Sequence, residues 1–220
     1  MRKISNATND VILLNFKVNM KPYYQDEWVT IYHGDCRDIL PDLPKVDLVL
    51  TDPPYPNVNA EEYKYSPELI FILNSINCRQ YVFWTAREEY PFPLEFTAKH
   101  IWDKKNGGNC QYEMIYERNG QRRYKVYRHY LINSTVAASF TGDVFNEHPS
   151  QKPIKLIREL VLDGGGGDIV VDPFMGSGTT LRAGKDLNRH CIGIEILEKY
   201  CEIAAIRCSQ GVFNLAQQMV

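Results

Sequence analysis

Two consecutive prolines, Pro53 and Pro54, close the apolar run Val46-Asp47-Leu48-Val49-Leu50-Thr51 and leave the chain few ways to continue. A run of that length, with Pro44 ahead of it, reads as a short buried strand. Proline fixes φ, lacks an N–H and pushes the residue before it into extended backbone, so neither helix nor further sheet pairing can follow. Asp52 and Tyr55 are therefore held stiffly at the carboxyl end of a strand, the edge where open α/β sheets bind ligands. Asp-Pro-Pro-Tyr also occurs as a plain strand-terminating turn, because Asp and Pro both populate turns.

An acid and an aromatic fixed in this way suit one reaction in particular. The exocyclic amine of a nucleobase is a poor nucleophile because its lone pair is delocalised into the ring. A carboxylate (Asp52) and a backbone carbonyl (Pro53) can both accept its hydrogens and localise that lone pair. Pro54 stiffens the segment, and Tyr55 offers a face on which an extruded base can stack.

The remaining pattern predicts an α/β fold. Val29 to Tyr32, Tyr81 to Trp84, a run ending Ile101-Trp102-Asp103, Ile169 to Asp172 and Cys191 to Glu195 read as strands. Helices are expected over 36–40, from Pro67 with Ser66 as cap, over 153–162 up to the Gly164-Gly165-Gly166-Gly167 stop, over 179–187 and over 197–208. Their alternation argues for a mostly parallel sheet with helices on both faces. Tyr112 to Glu117, Asn119-Gly120 and Arg123 to Tyr130 read as a β-hairpin, since Asn-Gly favours a type I′ turn. Pro56 to Tyr65 reads as a polar loop able to close over a substrate.

The overall charge is −2, yet Lys99 to His129 holds eight Lys/Arg against three acids, with five tyrosines interleaved through Tyr130. A basic, aromatic segment in an otherwise acidic chain is the pattern expected where a phosphate backbone lies. Lys104, Lys105, Arg118, Arg122, Arg123, Lys125 and Arg128 are its candidate DNA-binding residues; a solvated hairpin face is the plain alternative. The six cysteines form no C-x-x-C pair and read as reduced thiols, not a zinc site or disulfide frame. With no secretory leader and no membrane-length apolar run, a cytoplasmic location is expected, without metal or membrane.

A second constellation, Asp172-Pro173-Phe174-Met175-Gly176-Ser177-Gly178-Thr179, joins a strand to a helix. Its glycines let backbone approach a ligand, and the helix N-terminus favours a carboxylate. It lacks the Gly-Lys-Ser/Thr ending of a P-loop. Glu195, at the next strand end, is placed to hold ribose hydroxyls.

With Asp52-Pro53-Pro54-Tyr55, Phe174-x-Gly176-x-Gly178, Glu195 and His148-Pro149-Ser150-Gln151-Lys152-Pro153 in view, the chain resembles the amino-group DNA methyltransferases that use S-adenosylmethionine. Tyr32 to Cys36, and Trp102-Asp103-Lys104 running to Tyr112-Glu113, agree. The motif order looks like the circularly permuted β group. The resemblance spans roughly residues 20–208, leaving 1–19 as an appended arm ahead of a catalytic domain over 20–220. It implies a Rossmann-like methyltransferase sheet. It makes Asp52, Pro53, Pro54 and Tyr55 the catalytic turn, and sets Asp172, Phe174, Gly176, Ser177, Gly178 and Thr179 around the methionine part of the cofactor. Glu195 would hold the ribose, Asp35 and Cys36 the adenine, and Ser150, Gln151 and Lys152 the carboxylate end, with Lys152 able to pair with that carboxylate.

The resemblance implies methyl transfer to N6 of a flipped adenine, because an initial Asp in this turn favours adenine. N4 of cytosine is the alternative, and a catalytically silent DNA-binding subunit a third reading. Only the 27 positions from Gln121 to Glu147 stand where relatives carry a target-recognition region. Short or relaxed sequence recognition is therefore expected, or recognition through a homodimer or a separate specificity subunit.

Overall fold

A computed structural model describes residues 20–56, 65–105, 111–131, 151–165 and 167–211. The expected arm (1–19), most of the loop after the Pro-Pro turn, Cys110 and Ser150 lie outside the described residues. In chain order the elements are β1 (Tyr24–Gln25), β2 (Val29–His33), α1 (Cys36–Ile39), β3 (Leu48–Thr51), α2 (Pro67–Phe71) and β4 (Arg79–Trp84). They continue with β5 (Ala98–Asp103), β6 (Tyr112–Arg118), β7 (Val126–Arg128), α3 (Ile154–Asp163), β8 (Ile169–Asp172), α4 (Thr179–Asp186), β9 (His190–Glu195) and α5 (Glu198–Ser209).

The strands form one sheet in the order β1-β2-β9-β8-β3-β4-β6-β5-β7. The block β2-β9-β8-β3-β4 is parallel throughout, whereas β6 runs antiparallel to both β4 and β5. Alternation along β3 shows how the sheet is covered. Leu48 and Leu50 face a core shared with Leu156, Leu160, Leu181 and Ala204 of α3, α4 and α5. Val49 faces the opposite core, with Ile39 of α1 and Ile70 of α2. Helices thus lie on both faces, as the strand–helix alternation predicts.

This arrangement creates a crevice at one place. From β3 the chain crosses over one face to β4; from β8 it crosses over the opposite face to β9, moving the other way along the sheet. β3 and β8 are neighbours, so the connections leaving their carboxyl ends part between them. Such a switch point opens the sheet edge to a ligand.

The expected hairpin is not formed. β7 pairs in parallel with β5, and β5 stands between it and β6. A type I′ turn needs left-handed backbone at both central residues, but of this pair only Asn119 has positive φ, at 54°. Asn119 donates its side-chain amide to the Cys78 carbonyl, the Gly120 amide donates to Thr97 Oγ1, and the Gln121 amide donates to Glu117 Oε1. Those bonds tie the turn sideways and carry the chain past β5. At α2, Ser66 caps no backbone amide and its hydroxyl bonds the Glu68 carboxylate instead.

Gly178, at the entry to α4, has φ 75°, and a Cβ there would lie 2.7 Å from the Ala204 Cβ. Gly178→Ala should therefore lower stability by roughly 1–3 kcal/mol through left-handed strain and the clash. A fall in the urea midpoint at unchanged slope would report it.

Candidate active site

The two constellations meet at the switch point. Thr51 Oγ1, the last residue of β3, donates to Asp172 Oδ1 at the end of β8 over 2.7 Å, joining positions 121 apart in sequence. The Phe174 amide donates to the same oxygen at 3.1 Å, so the first acid of the glycine turn is clamped from both sides. Burial pushes the Asp172 carboxyl up to about 6, against the opposing pull of the Thr51 and Thr180 hydroxyls and the Phe174 amide.

The turn after β8 bends sharply because Gly176 and Gly178 take φ 49° and 75°. That backbone is open to glycine and strained for other residues. The Gly176 amide donates to Glu195 Oε2 at 3.0 Å, and the Leu197 amide to Oε1 at 2.9 Å. Glu195, expected to hold ribose hydroxyls, here braces the glycine turn against the start of α5; a carboxylate has lone pairs left for hydroxyl donors. Ser177 and Thr179 are buried, and Thr179 accepts from Arg207. Asp35 caps α1 and pairs with Arg37, whose guanidinium holds its carboxyl low. Cys36, the first residue of α1, is buried, and burial pushes its thiol up to about 12. Successive strand ends β2, β9, β8 and β3 thus present Asp35, Glu195, Asp172 and Asp52 along one edge.

Beyond β3, Pro53 is buried and Tyr55 half-buried, its ring 5.5 Å from the Trp84 ring at the end of β4. Burial, with the charge of Asp52 next, pushes the Tyr55 hydroxyl up to about 12. Asp52 accepts from Lys152 Nζ through Oδ2, while Oδ1 is buried with no hydrogen-bond partner among the described residues. The resemblance sets Lys152 at a cofactor carboxylate; in the structure its ammonium lies between Asp52 and Glu113, whose Oε2 is 3.5 Å away, and 5.0 Å from the Phe83 ring centroid. Burial pushes Asp52 above the ordinary carboxylate range against the pull of Lys152. Burial would also raise Glu113, but Lys152 and Lys104 outweigh it and hold that carboxyl low. Gln151 is buried beside Lys152.

Glu113 is a site residue that the motifs do not mark. Its signal is the period of two, which places it on the same face of β6 as Ile115 and points an acid inward.

The basic segment divides. Lys104 follows β5 and donates to Glu113 Oε1 at 2.6 Å, so it belongs to the site and not to a phosphate surface. Lys105, over the Tyr130 ring, and Arg128, 3.6 Å from Asp103, are exposed at the same end. Arg118 pairs in register with Gln80 at the opposite, amino-terminal end of β4, and it is buried. It donates to the carbonyls of Glu95 and Leu73 and to the side chains of Gln80 and Asn74, so as a DNA contact it is corrected to a structural residue. Arg122 and Arg123 are exposed next to it, and Lys125 is bound to Glu159 and Asp163 near the far end of α3. None of these four lies at the crevice.

Residues 56–206 match the profile of a family described as DNA methylase, covering N6 and N4 amino-methyltransferases. The chain belongs to this family. It is 27% identical over 242 aligned residues to the type II methyltransferase M.BglII of Bacillus subtilis, covering 79% of this chain and 67% of that protein. A shorter match, 49% over 61 residues, reaches M.HpaI of Haemophilus parainfluenzae, spanning 27% of this chain and 19% of the relative. Among solved structures, an M1.HpyAVI–SAM complex superposes with TM-score 0.57 at 26% identity, covering 83% of this chain and all of that one. PvuII DNA methyltransferase (cytosine-N4-specific) shares the fold, with TM-score 0.65 at 17% identity and 93% coverage of each chain. Among the described residues of this methylase, no cluster of three or more His, Cys, Asp or Glu could hold a metal ion, and no helix is long and apolar enough to cross a membrane.

Arg118→Ala should cost about 2–4 kcal/mol by leaving several buried acceptors unpaired. Its affinity for duplex DNA, measured by fluorescence anisotropy below the unfolding temperature, should equal that of the wild type.

Proposed function

We propose that this methylase transfers a methyl group from S-adenosylmethionine to the exocyclic N6 of an adenine flipped out of DNA. The observation that carries the reading is the juxtaposition made by the Thr51–Asp172 bond, which sets the Asp-Pro-Pro-Tyr turn beside the glycine turn at one crevice. The donor set suits the cofactor: acids line the edge where a sulfonium and ribose hydroxyls would sit, and α4 begins at the glycine turn, where a carboxylate is favoured. Phe174, Gly176, Ser177, Gly178 and Thr179 would hold the methionine part, Glu195 the ribose, and Asp35 and Cys36 the adenine edge. When bound, S-adenosylmethionine supplies an activated methyl on sulfur, so the protein's task is position and electrostatics.

Asp52 Oδ1 and the Pro53 carbonyl accept the two amine hydrogens and localise the nitrogen lone pair. Pro54 keeps that carbonyl in place, and Tyr55, fixed against Trp84, stacks on the extruded base. As the nitrogen becomes cationic, Asp52 and the Tyr55 ring stabilise it, and Asp52 takes the proton it sheds. Lys105 and Arg128 are the members of the basic set placed to meet phosphates near this crevice.

The order of the two turns along the chain supports a circularly permuted, β-group assignment. The initial Asp52 favours adenine over N4 of cytosine, and the short interval between β6 and Gln151 favours short or relaxed sequence recognition, or recognition shared with a second copy or subunit.

Wild type should transfer labelled methyl from S-adenosylmethionine to DNA. Asp52→Ala should lower the rate by at least about 10³-fold with cofactor affinity retained, the size expected when a group acting on the transition state is removed. Nucleoside analysis of the product should give N6-methyladenine; N4-methylcytosine would move the assignment to the other base.

A further inference from the structure

Resting on that reading, we propose that Lys152 and Glu113 are positioning residues that set the charge and orientation of Asp52. Four side chains of alternating sign run inward from the sheet edge: Lys104 Nζ to Glu113 Oε1 at 2.6 Å, Glu113 Oε2 to Lys152 Nζ at 3.5 Å, and Lys152 Nζ to Asp52 Oδ2. They come from four separate places, the end of β5, β6, the segment before α3 and the turn after β3, so their meeting is a product of the fold.

A buried carboxylate tends to take up a proton, which would cost Asp52 its ability to accept an amine hydrogen and to stabilise the developing positive charge. The Lys152 ammonium opposes that and occupies only Oδ2, leaving Oδ1, which has no partner among the described residues, as the acceptor. A lysine alone, however, would cancel the negative charge just where a cationic nitrogen forms. Glu113 offsets it: Asp52, Lys152 and Glu113 carry −1 between them, and Lys104, whose charge makes the row of four neutral, sits at its far end on the other oxygen of Glu113. Tyr55 and Asp172 also bear on Asp52, and Arg87 bears on Tyr55 beside it.

The two residues must then move Asp52 in opposite directions. Lys152→Met removes a cation, so Asp52 protonates more readily and the acid limb of the kcat/KM–pH profile moves to higher pH by about one unit or more. Glu113→Gln removes an anion, so the limb moves to lower pH, while kcat at the optimum falls about tenfold or more with KM for S-adenosylmethionine within about twofold. Lys152→Arg should restore the wild-type limb. A merely structural role would move both limbs together or neither, and either result overturns the proposal. A ¹³C carboxyl NMR titration of Asp52 in the DNA-free proteins should show the same opposed displacements. That readout holds if the wild type transfers no methyl to DNA, which would defeat the function reading alone. If Lys152→Met does not fold, Glu113→Gln decides by the sign of its displacement.

Discussion

One hydrogen bond between positions remote in sequence organises this molecule: the Thr51 hydroxyl on the Asp172 carboxylate. It works because β3 and β8 are parallel neighbours whose following helices depart over opposite faces of the sheet. The crevice left there has its walls supplied by backbone that cannot relax: a Pro-Pro turn on one side and a left-handed glycine turn on the other. Exchange of either for an ordinary loop would leave the acids present but unaligned.

Burial and charge act against each other throughout the site. Asp172 and Asp52 are withdrawn from water, which favours their neutral forms, yet each is given partners that favour the anion. Asp172 is served by hydroxyl and amide dipoles, Asp52 by a full positive charge from Lys152. The difference suits their places. A dipole clamp keeps a structural acid in position at the turn, whereas the acid that must respond to a developing cation needs a counter-ion whose influence is itself balanced, as Glu113 balances Lys152.

Much of this is legible in the amino-acid sequence itself. Apolar runs ending in Asp52, Asp172 and Glu195 mark the strands and put the acids at their carboxyl ends, because that pattern is local. Glycine and proline at 53, 54, 176 and 178 signal the turns for the same reason. What could not be read was pairing between distant parts. Asn119-Gly120 looks like a hairpin turn, but hydrogen bonds to Cys78 and Thr97 decide its direction. Arg118 looks like part of a basic surface, but strand register with Gln80 carries it to the far edge and into the interior. Lys152 looks like a partner for a cofactor carboxylate, and only the fold reveals two carboxylates of its own chain beside it.

The central claim, that one crevice serves both turns, is tested most directly by a crystal structure of the protein with S-adenosylmethionine. The cofactor's methyl-bearing sulfur should lie at the carboxyl ends of β3 and β8, between the Phe174–Gly178 turn and Asp52, with its methyl facing the Pro53 carbonyl. A cofactor bound at any other edge of the sheet, or one whose methyl is walled off from Asp52 and Tyr55, would contradict it.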